Sequence, residues 1–172
     1  MTAPAAAGAV ELEAVAAALA RRLQQCRLRL VTAESCTGGA MAAAMTAPAG
    51  ASAWFERGFV AYSNPAKETA LGVPEALMVA HGAVSEPVVL AMAQGALAAS
   101  QADVAIAASG VSGPGGGTAA KPVGMVCVAY ARRSGDAWAG THRFSGDRAR
   151  IRAATVAAAL EGLSAWLEQA RA

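Results

Sequence analysis

The sequence predicts an α/β protein: a three-layer α/β/α sandwich around a mixed, largely parallel sheet. Short apolar runs such as LRLVTA and DVAIAASG alternate with Ala- and Leu-rich amphipathic stretches, the pattern of successive βα units. Two further apolar runs, VGMVCVAYA and AWAGTHRFS, follow each other through RRSGD with no helix between them, so part of the sheet is antiparallel. A length of 172 residues, with no internal repeat and no linker-like segment, fits a single domain over 1–172 with residues 1–9 as a tail.

Each element has its own signal. Residues 10–26 place leucines at 12, 19 and 23 with charges between them, an amphipathic helix. LRLVTA is a strand, and Thr37 to about Ala47 a short Ala/Met helix ended by Pro48. RGFVAYS, from Arg57 to Ser63, is a second strand. In SNPAKETALGV, Asn64 can cap a helix, Pro65 suits its first position and Gly72 its end. Ser85 can cap a helix reaching Ser100. DVAIAASG is a buried strand, VSGPGGGTAAKP a long loop, the next two runs a hairpin, and 147–170 a final helix.

Composition narrows the function classes. A net charge of +2 with few aromatics and no basic tract argues against nucleic acid as partner. No window supplies the roughly 20 unbroken apolar residues of a membrane span; Arg21 and Arg22 interrupt the first Ala/Leu stretch, and MTAPAAAGAVELE lacks a basic n-region, so a cytoplasmic address is expected. The three cysteines, at 26, 36 and 127, form no CxxC pair, and Cys26 and Cys127 read as buried thiols. His81 reads as a turn residue and His142 lies mid-strand, so no metal site is expected.

Four stretches carry possible chemistry. In TAESCTGG a strand end runs through Ser35, Cys36, Thr37, Gly38 and Gly39 into a helix, so hydroxyls meet free backbone N–H groups that can hold an anion or oxyanion. The same stretch also fits a plain helix start capped by Ser35 or Thr37. In YSNPAK, Lys67 falls in a helix's first turn, against the dipole, a placement that favours a neutral amine able to act as general base, with Tyr62 as relay; a solvated lysine fits as well. SGVSGPGGG is neither a Walker loop nor a dinucleotide fingerprint. It can line a pocket with Ser109 facing a ligand, or simply be flexible. In SGDRARIR, Arg148 suits a phosphate at a helix N-terminus, while Arg150 and Arg152 read as surface residues.

TAESCTGG, GASAWFERGFVAYSNPAK, HGAVSEPVV, SGVSGPGGG, KPVG and FSGDR occur in the order seen in the CinA C-terminal domain family, which the chain resembles from about Val10 to Leu167. The resemblance implies a three-layer sandwich with a mixed sheet, and in the enzymatic members hydrolysis of nicotinamide mononucleotide to nicotinate mononucleotide and ammonia, in pyridine nucleotide salvage. It implies no metal or organic cofactor, a small-molecule nucleotide as substrate, no nucleic acid or membrane partner, and a homodimer. Catalysis would fall to Ser35, Tyr62 and Lys67, with Ser52 also pointing into the site. Ser35 would attack, Lys67 accept its proton, N–H groups from Thr37 to Gly39 hold the oxyanion, and Ser109, Gly113 and Arg148 contact substrate. Ser109 stands where the family more often has threonine. Two other readings stay open at this point: a nucleotide-binding module without catalysis, related to competence proteins, and an amidase for another small amide.

Overall fold

The computed structural model describes residues 9–169, so the reading of residues 1–9 as a tail falls almost wholly outside the described residues. The elements are α1 (Ala9–Cys26), β1 (Leu30–Glu34), α2 (Ala40–Thr46), a 3-10 turn (Ala51–Ala53), β2 (Phe55–Val60), α3 (Asn64–Leu71), α4 (Glu75–His81), α5 (Glu86–Ala98), β3 (Val104–Gly110), β4 (Met125–Arg132), β5 (Ala137–Arg143) and α6 (Arg148–Gln169). The strands form one sheet in the order β2-β1-β3-β4-β5. β2, β1 and β3 are parallel, and β4 and β5 add antiparallel pairs.

Alternation along the strands divides the core into two layers. Leu30, Val104, Ile106, Ala108, Val126, Val128 and Tyr130 face α1, α2 and α6. Val31, Ala33, Ala105, Ala107, Cys127, Ala129 and Ala131 face α3, α4 and α5. The second face is mostly alanine, and the helices over it pack closely on each other: at Gly95 of α5 an added Cβ would sit 1.8 Å from the carbonyl oxygen of Leu71 at the end of α3. On the other side Leu19 and Leu23 of α1 and Leu160, Leu163 and Leu167 of α6 are buried. Each such leucine contributes about 1.5–3 kcal/mol relative to exposure, so these helices are integral layers.

The chain order sets the place for a site. From β1 it crosses through α2 to β2 on one side, then returns through α3, α4 and α5 to β3 on the other side of β1. The direction of winding reverses at β1, and a crevice at such a point opens beyond the strands' carboxyl ends. Those ends are pinned together: Ser35 N–H donates to the Ala108 carbonyl (3.0 Å) and Ala61 N–H to the Glu34 carbonyl (2.8 Å).

Several sequence expectations shift. β2 lies two to three residues earlier than RGFVAYS, because Tyr62 and Ser63 leave the sheet to start α3. Ser63, not Asn64, is the cap: its Oγ accepts from Ala66 N–H at 3.2 Å, and Pro65 is the second helical residue. Gly72 ends α3 at φ 64°, as expected. The helix α4 was not anticipated; His81 is its last residue rather than part of a turn. Ser85 precedes α5 but its hydroxyl donates to the Gly82 carbonyl and caps nothing. Cys26, expected inside, is partly exposed at the end of α1, whereas Cys127 is buried. No helix among the described residues is long and apolar enough to cross a membrane.

Candidate active site

Ser35, the first residue after β1, and Lys67, one turn into α3, meet at the carboxyl end of the parallel strands. Lys67 Nζ lies 3.1 Å from Ser35 Oγ and 3.4 Å from the Tyr62 carbonyl oxygen. The meeting follows from local geometry. Helical side chains lean toward the helix N-terminus, so the stem of Lys67 runs back past the Ser63 cap to the end of β2, which lies beside β1. Only 2% of Lys67 is exposed. Burial lowers its pKa from the usual lysine value, opposed in part by the Cys36 sulfur. Among the described residues no carboxylate stands within ion-pair distance of it. A lysine so placed is biased toward the neutral amine, the form that can accept a proton from a serine hydroxyl.

Beside this pair opens a cavity of about 210 Å³, walled also by Cys36, Tyr62, Ser109 and Arg148. Arg148, the first residue of α6, donates from Nη1 to the Gly113 carbonyl (2.9 Å) and from Nη2 to the Tyr62 hydroxyl (2.9 Å). It links the glycine-rich loop to the strand end that carries Tyr62. The tyrosine is 58% exposed. Its hydroxyl meets Arg148, and it is its backbone carbonyl that meets Lys67. The hydroxyl of Ser109 donates to the Ala83 carbonyl at 2.8 Å and so fastens the segment after α4 to the cavity wall.

Ser52 does not join this group. Its 3-10 turn leads into the start of β2, and Trp54 carbonyl accepts from Leu30 N–H, at the amino end of the parallel strands. Ser35 is at the carboxyl end, so the length of β1 separates the two, and Ser52 is exposed. The expected oxyanion donors also change. Gly38 N–H donates to the Ser35 carbonyl (3.1 Å) and Gly39 N–H to a Glu34 carboxylate oxygen (3.0 Å). The Thr37 hydroxyl is fully buried on that same oxygen at 2.7 Å. Thr37, Gly38 and Gly39 therefore shape the turn; the two glycines do so with φ of 61° and 94°, which favour glycine over any other residue. The N–H groups of Cys36 and Thr37 make no hydrogen bond to another residue's backbone among the described residues, and the Cys36 N–H lies against its own thiol sulfur.

Three residues of the site went unrecognised in the sequence. Glu34 is wholly buried beneath the turn. Arg152, read as a surface residue, donates from Nη2 to the Thr37 carbonyl at 2.7 Å. Ser112 is buried on the cavity wall, and its hydroxyl has no nitrogen or oxygen partner among the described residues and lies beside the Cys36 sulfur. The one available signal was position: Glu34 abuts the serine, and Arg152 follows Arg148 by one helical turn, on the same face. Cys36 packs inward as expected, and burial raises its pKa to about 11, with the Ser112 hydroxyl beside it pulling the other way. No cluster of three or more potential metal ligands occurs among the described residues.

Fold and site together define a class: an α/β/α sandwich with a buried serine–lysine pair where the parallel winding reverses. The chain belongs to the CinA C-terminal domain family, whose model matches residues 12–167. A relative from Escherichia coli K12 named nicotinamide-nucleotide amidohydrolase PncC is 53% identical over 134 residues, covering 78% of this chain and 81% of its own. A Pseudomonas putida protein of the same name is 50% identical over 149 residues, covering 87% and 92%. Among solved structures, the competence/damage inducible protein CihA from Agrobacterium tumefaciens superposes with a TM-score of 0.87 at 43% identity, covering 96% of this chain and 98% of that one.

Proposed function

We propose that the protein hydrolyses the carboxamide of nicotinamide mononucleotide to nicotinate mononucleotide and ammonia. The observation that carries this reading is the buried Lys67 Nζ at 3.1 Å from Ser35 Oγ; the names of the relatives supply the substrate. Ser35 Oγ attacks the carboxamide carbon while Lys67 takes the hydroxyl proton. The resulting oxyanion faces the N–H groups of Cys36 and Thr37. As the C–N bond breaks, Lys67 returns the proton to the departing nitrogen and ammonia leaves. Water then cleaves the Ser35 ester, giving up its proton to Lys67, and releases the carboxylate product.

The remaining wall suits a nucleotide. Arg148 keeps guanidinium N–H groups beyond the two it commits to Gly113 and Tyr62. It stands at the N-terminus of the 22-residue helix α6, a favourable place for a phosphate. In this role Tyr62 orients Arg148 and closes the cavity mouth rather than touching the amine with its hydroxyl. The test is ammonia release from the mononucleotide compared with nicotinamide and its riboside. The mononucleotide should be preferred. Release from none of the three would favour a nucleotide-binding module without catalysis, and preference for the free amide would point to a different small-amide substrate.

A further inference from the structure

We infer that Glu34 and Arg152 are positioning residues that clamp the turn after Ser35 from two sides and so hold the Cys36 and Thr37 N–H groups in place for the oxyanion, an inference that rests on the amidohydrolase reading above. Glu34 closes β1 with its side chain on the α2 face of the sheet. Its carboxylate accepts five hydrogen bonds: from the Thr32 hydroxyl (3.2 Å), the Thr37 hydroxyl (2.7 Å) and the N–H groups of Gly39 (3.0 Å), Met41 (3.0 Å) and Ala42 (2.8 Å). The last three are the N–H groups that the start of α2 leaves without partners. The cap residue Gly39 offers no side chain, so a strand carboxylate does the capping from below. This ties strand, turn and helix to one buried group.

Arg152 acts from the other side. Its Nη2 holds the Thr37 carbonyl, and it packs so near the turn that a Cβ on Gly38 would lie 3.5 Å from it. Its Nε is buried without a partner among the described residues. An unpaired buried guanidinium N–H costs stability, so the placement is not explained by stability alone. Within the turn the clamp holds the Thr37 hydroxyl, the Thr37 carbonyl and the Gly39 N–H. Because C=O and N–H point opposite ways across a trans peptide, the Cys36 N–H points away from the Gly38 N–H that the Ser35 carbonyl accepts. Arg152 holds the Thr37–Gly38 peptide, whose N–H in turn holds the Ser35 carbonyl, and Glu34 holds the Thr37 side chain, so both act on the Cys36 and Thr37 N–H groups at one remove, and neither lines the cavity.

The test uses Arg152→Met, Arg152→Lys and Glu34→Gln in the full-length chain, with three readouts: kcat and KM for the mononucleotide, the rate at which a fluorophosphonate modifies Ser35 (followed by mass spectrometry), and folding by circular dichroism. Loss of an oxyanion donor itself costs about 100- to 1000-fold in kcat, so a displaced turn should cost Arg152→Met about 10- to 100-fold, with KM within about threefold. Arg152→Lys, which keeps a charged donor, should recover most of it. Ser35 modification should slow in parallel. Should Glu34→Gln fail to fold, the Arg152 pair decides. A folded Arg152→Met protein with unchanged kcat and modification rate overturns the clamp, as does a loss that appears only in KM. If wild-type Ser35 is modified but no ammonia is released, the substrate reading fails while the modification rates still judge the clamp.

Discussion

Replacing Lys67 by methionine separates the chemical task of the amine from its effect on the fold. The change keeps an unbranched stem and removes two hydrogen bonds, to Ser35 Oγ at 3.1 Å and to the Tyr62 carbonyl at 3.4 Å. The first is worth about 0.5–1.5 kcal/mol, and the second is long enough to count for less. Against that loss stands the burial of an ionisable group with no carboxylate beside it, where the effective penalty for an ion is several kcal/mol. The balance favours methionine. The melting temperature at pH 7 should equal or exceed that of the parent, at roughly 2–4 °C per kcal/mol for a chain of this size. The pH dependence has a fixed sign. Burial depresses the folded-state pKa of Lys67. The unfolded chain therefore binds more protons between that value and the free-lysine value of about 10.4, and parent stability rises with pH through this window. The advantage of the variant should shrink accordingly. Activity should move the other way, with kcat/KM lower by about 100- to 10,000-fold for loss of the general base. Scanning calorimetry at several pH values, with ammonia release alongside, measures both. A melting temperature lowered by more than about 5 °C would mean that the amine is a structural group. Retained activity would remove it from the chemistry.

Cys36→Ala should keep most activity, and iodoacetamide should modify Cys36 slowly at pH 8, since burial holds its pKa at about 11 and leaves little thiolate; rapid modification would contradict this. Arg148→Ala should cost about 10- to 100-fold in kcat/KM for the mononucleotide, the value of one charged hydrogen-bond partner, and little for the riboside. Equal proportional losses would move the phosphate elsewhere. Gly124→Ala should destabilise by more than about 2 kcal/mol, because at φ 91° its Cβ would fall 1.9 Å from the Phe144 carbonyl oxygen; urea denaturation gives the value.

The layers were legible because the signals were periodic. Apolar runs of β1 and β3, buried on both faces, and the missing helix between β4 and β5 dictated a mixed sheet whichever way the local details fell. The opposition of Lys67 to the helix dipole left a solvated lysine equally open until the family motif singled it out, while the glycine pair was legible through the turn it permits. What stayed hidden depends on direction in space. Ser52 sits a few residues before a strand, and only the parallel pairing of β2 with β1 puts it at the wrong end of the sheet. Glu34 looks like any strand-end carboxylate until α2 turns its N–H groups back onto it. Arg152 looks like a solvated charge beside Arg150 until α6 packs across the turn, 115 residues from Thr37 in sequence. Cys26 was misjudged because the end of α1 lies at the rim of its layer. The helix α4 was missed because a seven-residue segment opening on Pro74 carries too few apolar repeats to show a period.

In the proposed reaction Ser35 attacks an amide with Lys67 beside it. Ammonia and nicotinate mononucleotide should be counted together from nicotinamide mononucleotide, with the parent and with Ser35→Ala protein at equal concentration. The parent should form one ammonia per acid, and Ser35→Ala should turn over more slowly by several orders of magnitude although it still binds the mononucleotide. Comparable turnover by Ser35→Ala would contradict the assignment of the nucleophile and, with it, the role given to the Ser35–Lys67 pair.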